Sequence, residues 1–257
     1  MNIMHAGARL VFGKLLPKWP YPVMRGPLRG SWYILGATAG EAGGVSVHFG
    51  LQEVEQCHCL TNVLHAGQVF FDVGANVGFY SLLSSRIVRE SGRVIAFEPM
   101  PRNLAFLHRH VRLNRAENVT ILPLACAENL SAQLFIAGEN NALGRLEESD
   151  RKEEEPSRQT PAILVATVSL DAAAEKLGLW PDVIKIDVEG AELRVLHGAA
   201  HLLTHVRPSL LLSVHSDQLR ETCLACLREF DYRIEPLNSR SMEGATEFLA
   251  QPWVGKT

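Results

Sequence analysis

The chain has 257 residues, 47% hydrophobic and 21% charged, the balance of an ordinary globular protein with room for one large core. Its 28 acidic and 25 basic residues leave a net charge of −3, so no global basic field exists to hold nucleic acid or an anionic membrane. Five cysteines, an odd number in a chain long enough to need no staples, argue against a disulfide framework and for a reducing cytoplasm, and no apolar run approaches the roughly 18 residues of a membrane span.

Residues 1 to 50 read as an N-terminal extension. Arg9, Lys14, Lys18, Arg25 and Arg29 precede the first acid, Glu41. Arg9 and Lys14 interrupt the apolar stretches of Met1 to Leu16, unlike the core of a signal peptide. Pro17, Pro20, Pro22 and Pro27 exclude a long helix past Lys14. The segment either packs on the main domain, lids its pocket or is a solvated arm.

A βα alternation begins at residue 69. Val69 to Val73 is a short buried strand, Gly74 to Gly78 a tight turn, and Phe79 to Ser91 a helix that stops at Gly92. Val94 to Phe97 is the second strand, ended by Pro99; Leu104, Leu107, Val111 and Leu113 mark the next helix; Val119 to Leu124 is the third strand. Leu130 to Ala137 and Ile163 to Val168 read as strands flanking a polar insert at about 138–161, whose mixed charge run from Glu147 to Glu155 reads as solvated. The alternation resumes with a helix over Ser169 to Leu177, capped by Ser169, then a strand over Asp182 to Asp187. A helix over Ala191 to Leu203, a strand over Ser209 to Val214 and a helix over Leu219 to Phe230 follow, with strand candidates Tyr232 to Pro236 and Glu247 to Ala250 in the tail. Strands separated by helix-length segments predict an α/β fold, doubly wound, with a mostly parallel sheet and helices on both faces.

The segment Asp72-Val-Gly74-Ala-Asn76-Val-Gly78 carries the most information. It follows a strand and opens a helix, where ligands of open α/β sheets bind. A nicotinamide dinucleotide would want G-x-G-x-x-G, but Asn76 replaces the second glycine and the spacing differs. A carboxylate at Asp72 would face a pyrophosphate badly. It suits a ligand with an ammonium group and a sulfonium nearby, which describes S-adenosylmethionine. Glu98, at the end of the second strand, is placed to accept both ribose hydroxyls of a nucleoside; alone it would read equally well as a surface glutamate.

These residues, with Phe97-Glu98-Pro99, Asn103 and Asn114, and with Ile184-Lys-Ile-Asp-Val-Glu-Gly-Ala-Glu192 and Gly198-Ala199, together resemble the FkbM family of methyltransferases over roughly residues 50 to 235. The resemblance implies a class I methyltransferase, Rossmann-like fold over residues 51–257, with a seven-stranded sheet whose final strand is antiparallel. It implies S-adenosylmethionine as cofactor and methylation of an oxygen, commonly on a sugar or natural-product hydroxyl. Carried over by position, Asp72, Gly74, Asn76 and Gly78 line the methionine end, Glu98 holds the ribose, and Ala125 lies near the adenine. One departure is the fifth strand, where the family often has a glutamate and this chain reads Leu212-Ser213-Val214-His215.

An alkyl hydroxyl is a poor nucleophile, so a base or metal should help remove its proton. Asp187, Glu189 and His215 sit at strand ends on one sheet edge and are the candidate catalytic residues. Asp187 and Glu189 also permit a hard cation, although Glu189 and Glu192 would equally favour the following helix through its dipole. No metal is assigned on these grounds. His215 reads as a base or as a satisfied structural residue. Lys185, inward-facing in an apolar strand, needs a partner the sequence does not reveal. Cys57-His58-Cys59 has too short a gap for a usual zinc site, and Cys223 and Cys226 fall on one apolar helix stripe, so both pairs read as core. The competing functions are a Rossmann-type NAD-dependent oxidoreductase and a catalytically degenerate binding domain. Neither the acceptor nor the oligomeric state is legible.

Overall fold

The structure, a computed structural model, describes residues 18–37, 45–137, 144–146 and 162–253. Residues 1–17 and most of the polar insert, with its charge run, lie outside the described residues. In chain order the strands are β1 Pro20–Pro22, β2 Trp32–Ile34, β3 Val69–Val73, β4 Arg93–Phe97, β5 Val119–Leu122, β6 Ala125–Cys126, β7 Ser131–Ala137, β8 Gly144–Leu146, β9 Ala162–Val168, β10 Val183–Ile186, β11 Ser209–Ser213, β12 Tyr232–Pro236 and β13 Glu247–Pro252. The helices are α1 Val45–His48, α2 Val54–Val63, α3 Phe79–Val88, α4 Pro101–Leu113, α5 Leu170–Leu177, α6 Glu192–His197 and α7 Asp217–Glu229.

Apolar strands such as Val69-Phe-Phe-Asp-Val73 bury both faces, as a central parallel strand must. Phe70 and Phe71, adjacent in sequence, therefore serve two different cores. Phe71 joins Ile95, Ile184, Leu212 and Leu196 on one face; Phe70 joins Leu60, Leu83, Val183 and Leu211 on the other. The main sheet has seven strands in the order β12-β13-β11-β10-β3-β4-β5. Its neighbours from β11 through β5 pair in parallel, and β13 runs antiparallel between β11 and β12. The tail strands therefore supply the antiparallel hairpin at the sheet edge. After β5 the chain returns to lay β10 beside β3, so the strand order switches between β3 and β10, and the crevice opens at their carboxyl ends.

Two elements differ from the sequence pattern. The third strand ends at Leu122 because Pro123 offers no N–H to the ladder, and the chain leaves as β6 for a small sheet of order β6-β9-β7-β8. The expected helix over 191–203 splits into α6 and a π-helical turn over Leu202–Val206. The Asp171 carboxylate explains the second start: it accepts from the His201 and Leu202 N–H groups at 2.8 and 2.9 Å and caps them. The predicted cap at Ser169 is present, its side chain accepting from Ala172 N–H.

The β1–β2 hairpin lies against α4. The Ile34 N–H donates to His110 Nε2 at 2.9 Å, and His110 Nδ1 lies 2.6 Å from the Val77 carbonyl. Tyr33 stacks on the same ring, with centroids 4.1 Å apart. Burial, opposed by the Val77 carbonyl and aided by the Arg109 and His48 charges, brings the His110 imidazole down to about 4, so it stays neutral and keeps both contacts. All five cysteines are buried free thiols.

Candidate active site

The crevice holds a pocket of about 590 Å³, part of it open to solvent, between the turn after β3, the end of β4 and the turn after β10. Gly74 opens the first turn with φ of 81°, in the left-handed region that favours glycine. A Cβ there would come within 1.9 Å of the Asp187 carbonyl oxygen, so the two turns pass too closely for any side chain. Asn76 follows with φ of 51°, and its buried Oδ1 has no partner. Its N–H donates to Glu98 Oε2 at 2.8 Å.

Glu98, at the end of β4, is almost fully buried. Its Oε1 accepts from Met100 N–H at 2.9 Å and from Asn103 Nδ2 at 3.3 Å. Burial pushes its carboxyl up to about 7 in spite of these donors. Gly74, Asn76, Glu98 and Ala125 line the pocket together. Asp72 and Gly78 stand apart from that lining. Asp72 is fully buried below the turn, accepting from Ser81 Oγ at 2.6 Å, and burial raises its carboxyl. Gly78 packs on Leu107 of α4. The small sheet adds Phe135, which covers the pocket beside Met100 and Ala125; no motif in the sequence marked it.

Asp187 and Glu189 reach the same pocket from the turn after β10, and His215 joins them from the end of β11. His215 Nε2 lies 3.5 Å from Asp187 Oδ1 and 3.4 Å from Glu189 Oε2. Its Nδ1 lies 2.6 Å from Oε1 of Glu192, a fully buried carboxylate at the start of α6. That hydrogen bond, reinforced by Glu189 and Asp187 against the effect of burial, raises the imidazole to about 9. Burial likewise raises the Glu189 carboxyl.

Lys185 finds one partner two residues on and another on the neighbouring strand. Its Nζ pairs with Asp187 Oδ2 at 2.8 Å and lies 4.6 Å from the centroid of the Tyr80 ring. Lys185 is opposite Asp72 in the β10–β3 register. Burial works against the ammonium, but Asp187 and Asp72 hold its proton more firmly than usual. Burial alone would raise Asp187; Lys185 instead holds it below the usual carboxylate range. Ser213 donates to Glu247 Oε2 at 2.7 Å, and the two residues are register partners of β11 and β13. A carboxylate thus stands beside the fifth strand, supplied by its neighbour.

The pocket lining carries three carboxylates, Glu98, Asp187 and Glu189, and among the described residues no lysine or arginine. Such a lining suits a cationic ligand with a ribose and repels a pyrophosphate. The orphaned Asn76 Oδ1 adds an acceptor for an ammonium or hydroxyl donor. S-adenosylmethionine, with its sulfonium, ammonium and ribose, fits these groups.

A family model described as the methyltransferase FkbM domain matches residues 72–234. Methyltransferase sdnD of Sordaria araneosa is 28% identical over 169 residues, which span 56% of this chain and 64% of that protein. The solved structure of methyltransferase FkbM from Methylobacillus flagellatus KT superposes with a TM-score of 0.50 at 19% identity, covering 84% of this chain and 56% of that one. The chain thus spans less than two thirds of both relatives, and the structural likeness speaks for the fold.

Proposed function

The chain belongs to the FkbM methyltransferase family, and on that premise we propose that it transfers the methyl group of S-adenosylmethionine to a hydroxyl oxygen of a saccharide or other small-molecule acceptor. The observation that carries this reading is the pocket lined by three carboxylates, Glu98, Asp187 and Glu189, and by no basic side chain among the described residues, with His215 beside the last two.

Gly74 and Asn76 would hold the methionine end, Glu98 the ribose hydroxyls, and Ala125 with Phe135 the adenine side. The bound cofactor supplies an activated methyl carbon. The chain's own part is to align the acceptor oxygen at about 3 Å from that carbon. Asp187, Glu189 and His215 act on the acceptor hydroxyl, which must lose its proton as the new bond forms. The same acidic lining disfavours a polyanionic acceptor such as nucleic acid. Five free thiols suit a reducing compartment, and among the described residues no helix is long and apolar enough to cross a membrane.

Calorimetric titration with S-adenosylhomocysteine and, separately, with NAD tests the reading. Saturable binding of the homocysteine compound supports it and justifies an acceptor screen with methyl-labelled cofactor. Binding of NAD alone overturns it in favour of a dinucleotide enzyme. Binding of neither points to a degenerate domain.

A further inference from the structure

We propose that Asp187, Glu189 and His215 bind one divalent cation of the Mg²⁺ or Mn²⁺ class, with Glu192 fixing the imidazole from behind. This deepens the proposed function by naming what acts on the acceptor oxygen, but cation binding itself does not depend on methyl transfer.

Geometry carries the case. One ligand atom from each of the three residues falls within 4.8 Å of the other two. His215 Nε2 faces Glu189 Oε2 at 3.4 Å and Asp187 Oδ1 at 3.5 Å. Good N–H···O bonds measure about 2.7–3.2 Å, so the nitrogen is too far for a close bond to either oxygen. An octahedral Mg²⁺ with bonds of about 2.0–2.1 Å sets neighbouring ligands about 2.8–3.0 Å apart. The observed gap is wide for a hydrogen bond, and the three side chains would close by about 0.5 Å around an ion of that size.

Orientation and charge agree. Glu192 Oε1 holds Nδ1 at 2.6 Å, the arrangement in which a carboxylate orients a metal-binding histidine and turns Nε2 toward the ion. Glu192 is fully buried, and its Oε2 has no partner. Lys185 takes Asp187 Oδ2 and leaves Oδ1 turned to the gap. Glu189 has φ of 53°, a left-handed conformation that a non-glycine residue keeps only where its surroundings enforce it.

Two carboxylate oxygens and one imidazole form a mostly hard ligand set, suited to Mg²⁺ or Mn²⁺. Three protein ligands leave positions open for water and for an acceptor oxygen. The ion would make that hydroxyl more acidic and hold it in line, the proton passing to water.

The test uses the full chain, stripped with chelator and titrated with Mn²⁺ while free Mn²⁺ is followed by electron paramagnetic resonance. About one tight Mn²⁺ per chain is expected, displaced by Mg²⁺. His215→Ala removes a partly exposed ligand and should weaken binding at least about tenfold. Glu192→Gln, which supplies no ligand atom, should weaken it about 10- to 100-fold through lost orientation. Circular dichroism establishes that each variant is folded. Absence of binding at about 1 mM Mn²⁺, or binding unchanged in both variants, overturns the proposal and leaves a hydrogen-bonded imidazolium bridging the carboxylates. Binding of S-adenosylhomocysteine without Mn²⁺ binding sinks the cation alone. Mn²⁺ binding without the homocysteine compound sinks the methyltransferase reading and leaves the cation site standing.

Discussion

Replacing Glu98 by glutamine changes one atom and should be felt strongly. Both carboxylate oxygens face donors: Oε1 accepts from Met100 N–H and Asn103 Nδ2, and Oε2 from Asn76 N–H. A glutamine has one oxygen and one NH₂, so either orientation points N–H at N–H. At least one charge-assisted hydrogen bond is lost, about 1.5–3 kcal/mol. If that loss falls on the bound state, affinity for S-adenosylhomocysteine drops between about tenfold and about a hundredfold. The pH dependence gives a second, signed reading. Burial raises the folded Glu98 carboxyl from 4.5 to about 7, so the folded chain binds more protons than the unfolded one between those values. Its stability therefore falls as pH rises through that window. Ribose hydroxyls donate best to the ionised carboxylate, so ligand affinity should do the reverse, rising about tenfold per pH unit below 7 and levelling above. Calorimetry from about pH 5.5 to about pH 8.5 on the wild type and Glu98→Gln checks both. Equal affinities at high pH, or the same pH profile in both proteins, would refute the assignment of Glu98 to the ribose.

Gly74→Ala should cost more than about 3 kcal/mol in chemical denaturation, since its Cβ would meet the Asp187 carbonyl at 1.9 Å. Gly178→Ala, with φ of 64° and nothing within 4 Å, should cost only the left-handed strain of about 1 kcal/mol; similar losses at the two sites would contradict the close-approach argument. Lys185→Met leaves Asp72 and Asp187 buried without their cation and should destabilise by about 3–5 kcal/mol at neutral pH. Part of that loss should return in acid, where the carboxylates protonate; a loss independent of pH would point to packing instead. In metal-free protein the His215 imidazole should titrate near 9 by nuclear magnetic resonance, and a value near 6.5 would remove the Glu192 contact from the account. Because its folded value lies above 6.5, the stability it contributes is present below that pH and is lost as pH rises through about 9.

Local chemistry made much of this protein legible in its sequence. An apolar run bounded by a glycine turn reads as a buried strand entering a turn, and it was Asp72, Gly74, Asn76 and Glu98 taken together that made a ligand loop the better reading. The capping serine at 169 was equally local, its side chain accepting from a backbone N–H three residues on; Ser216 caps α7 in the same way, two residues ahead of where the apolar period placed that helix. The small sheet was not legible: Leu130 to Ala137 and Ile163 to Val168 read as strands, but only β7–β9 pairing places Phe135 over the pocket. The acceptor side also waited for tertiary structure. Glu192 reaches His215 across 23 residues, and Glu247 reaches Ser213 across 34. Sequence spacing carries period and turn chemistry, which act over a few residues. Partners for a buried charge are chosen by strand register and helix packing, and these exist only once the sheet has assembled.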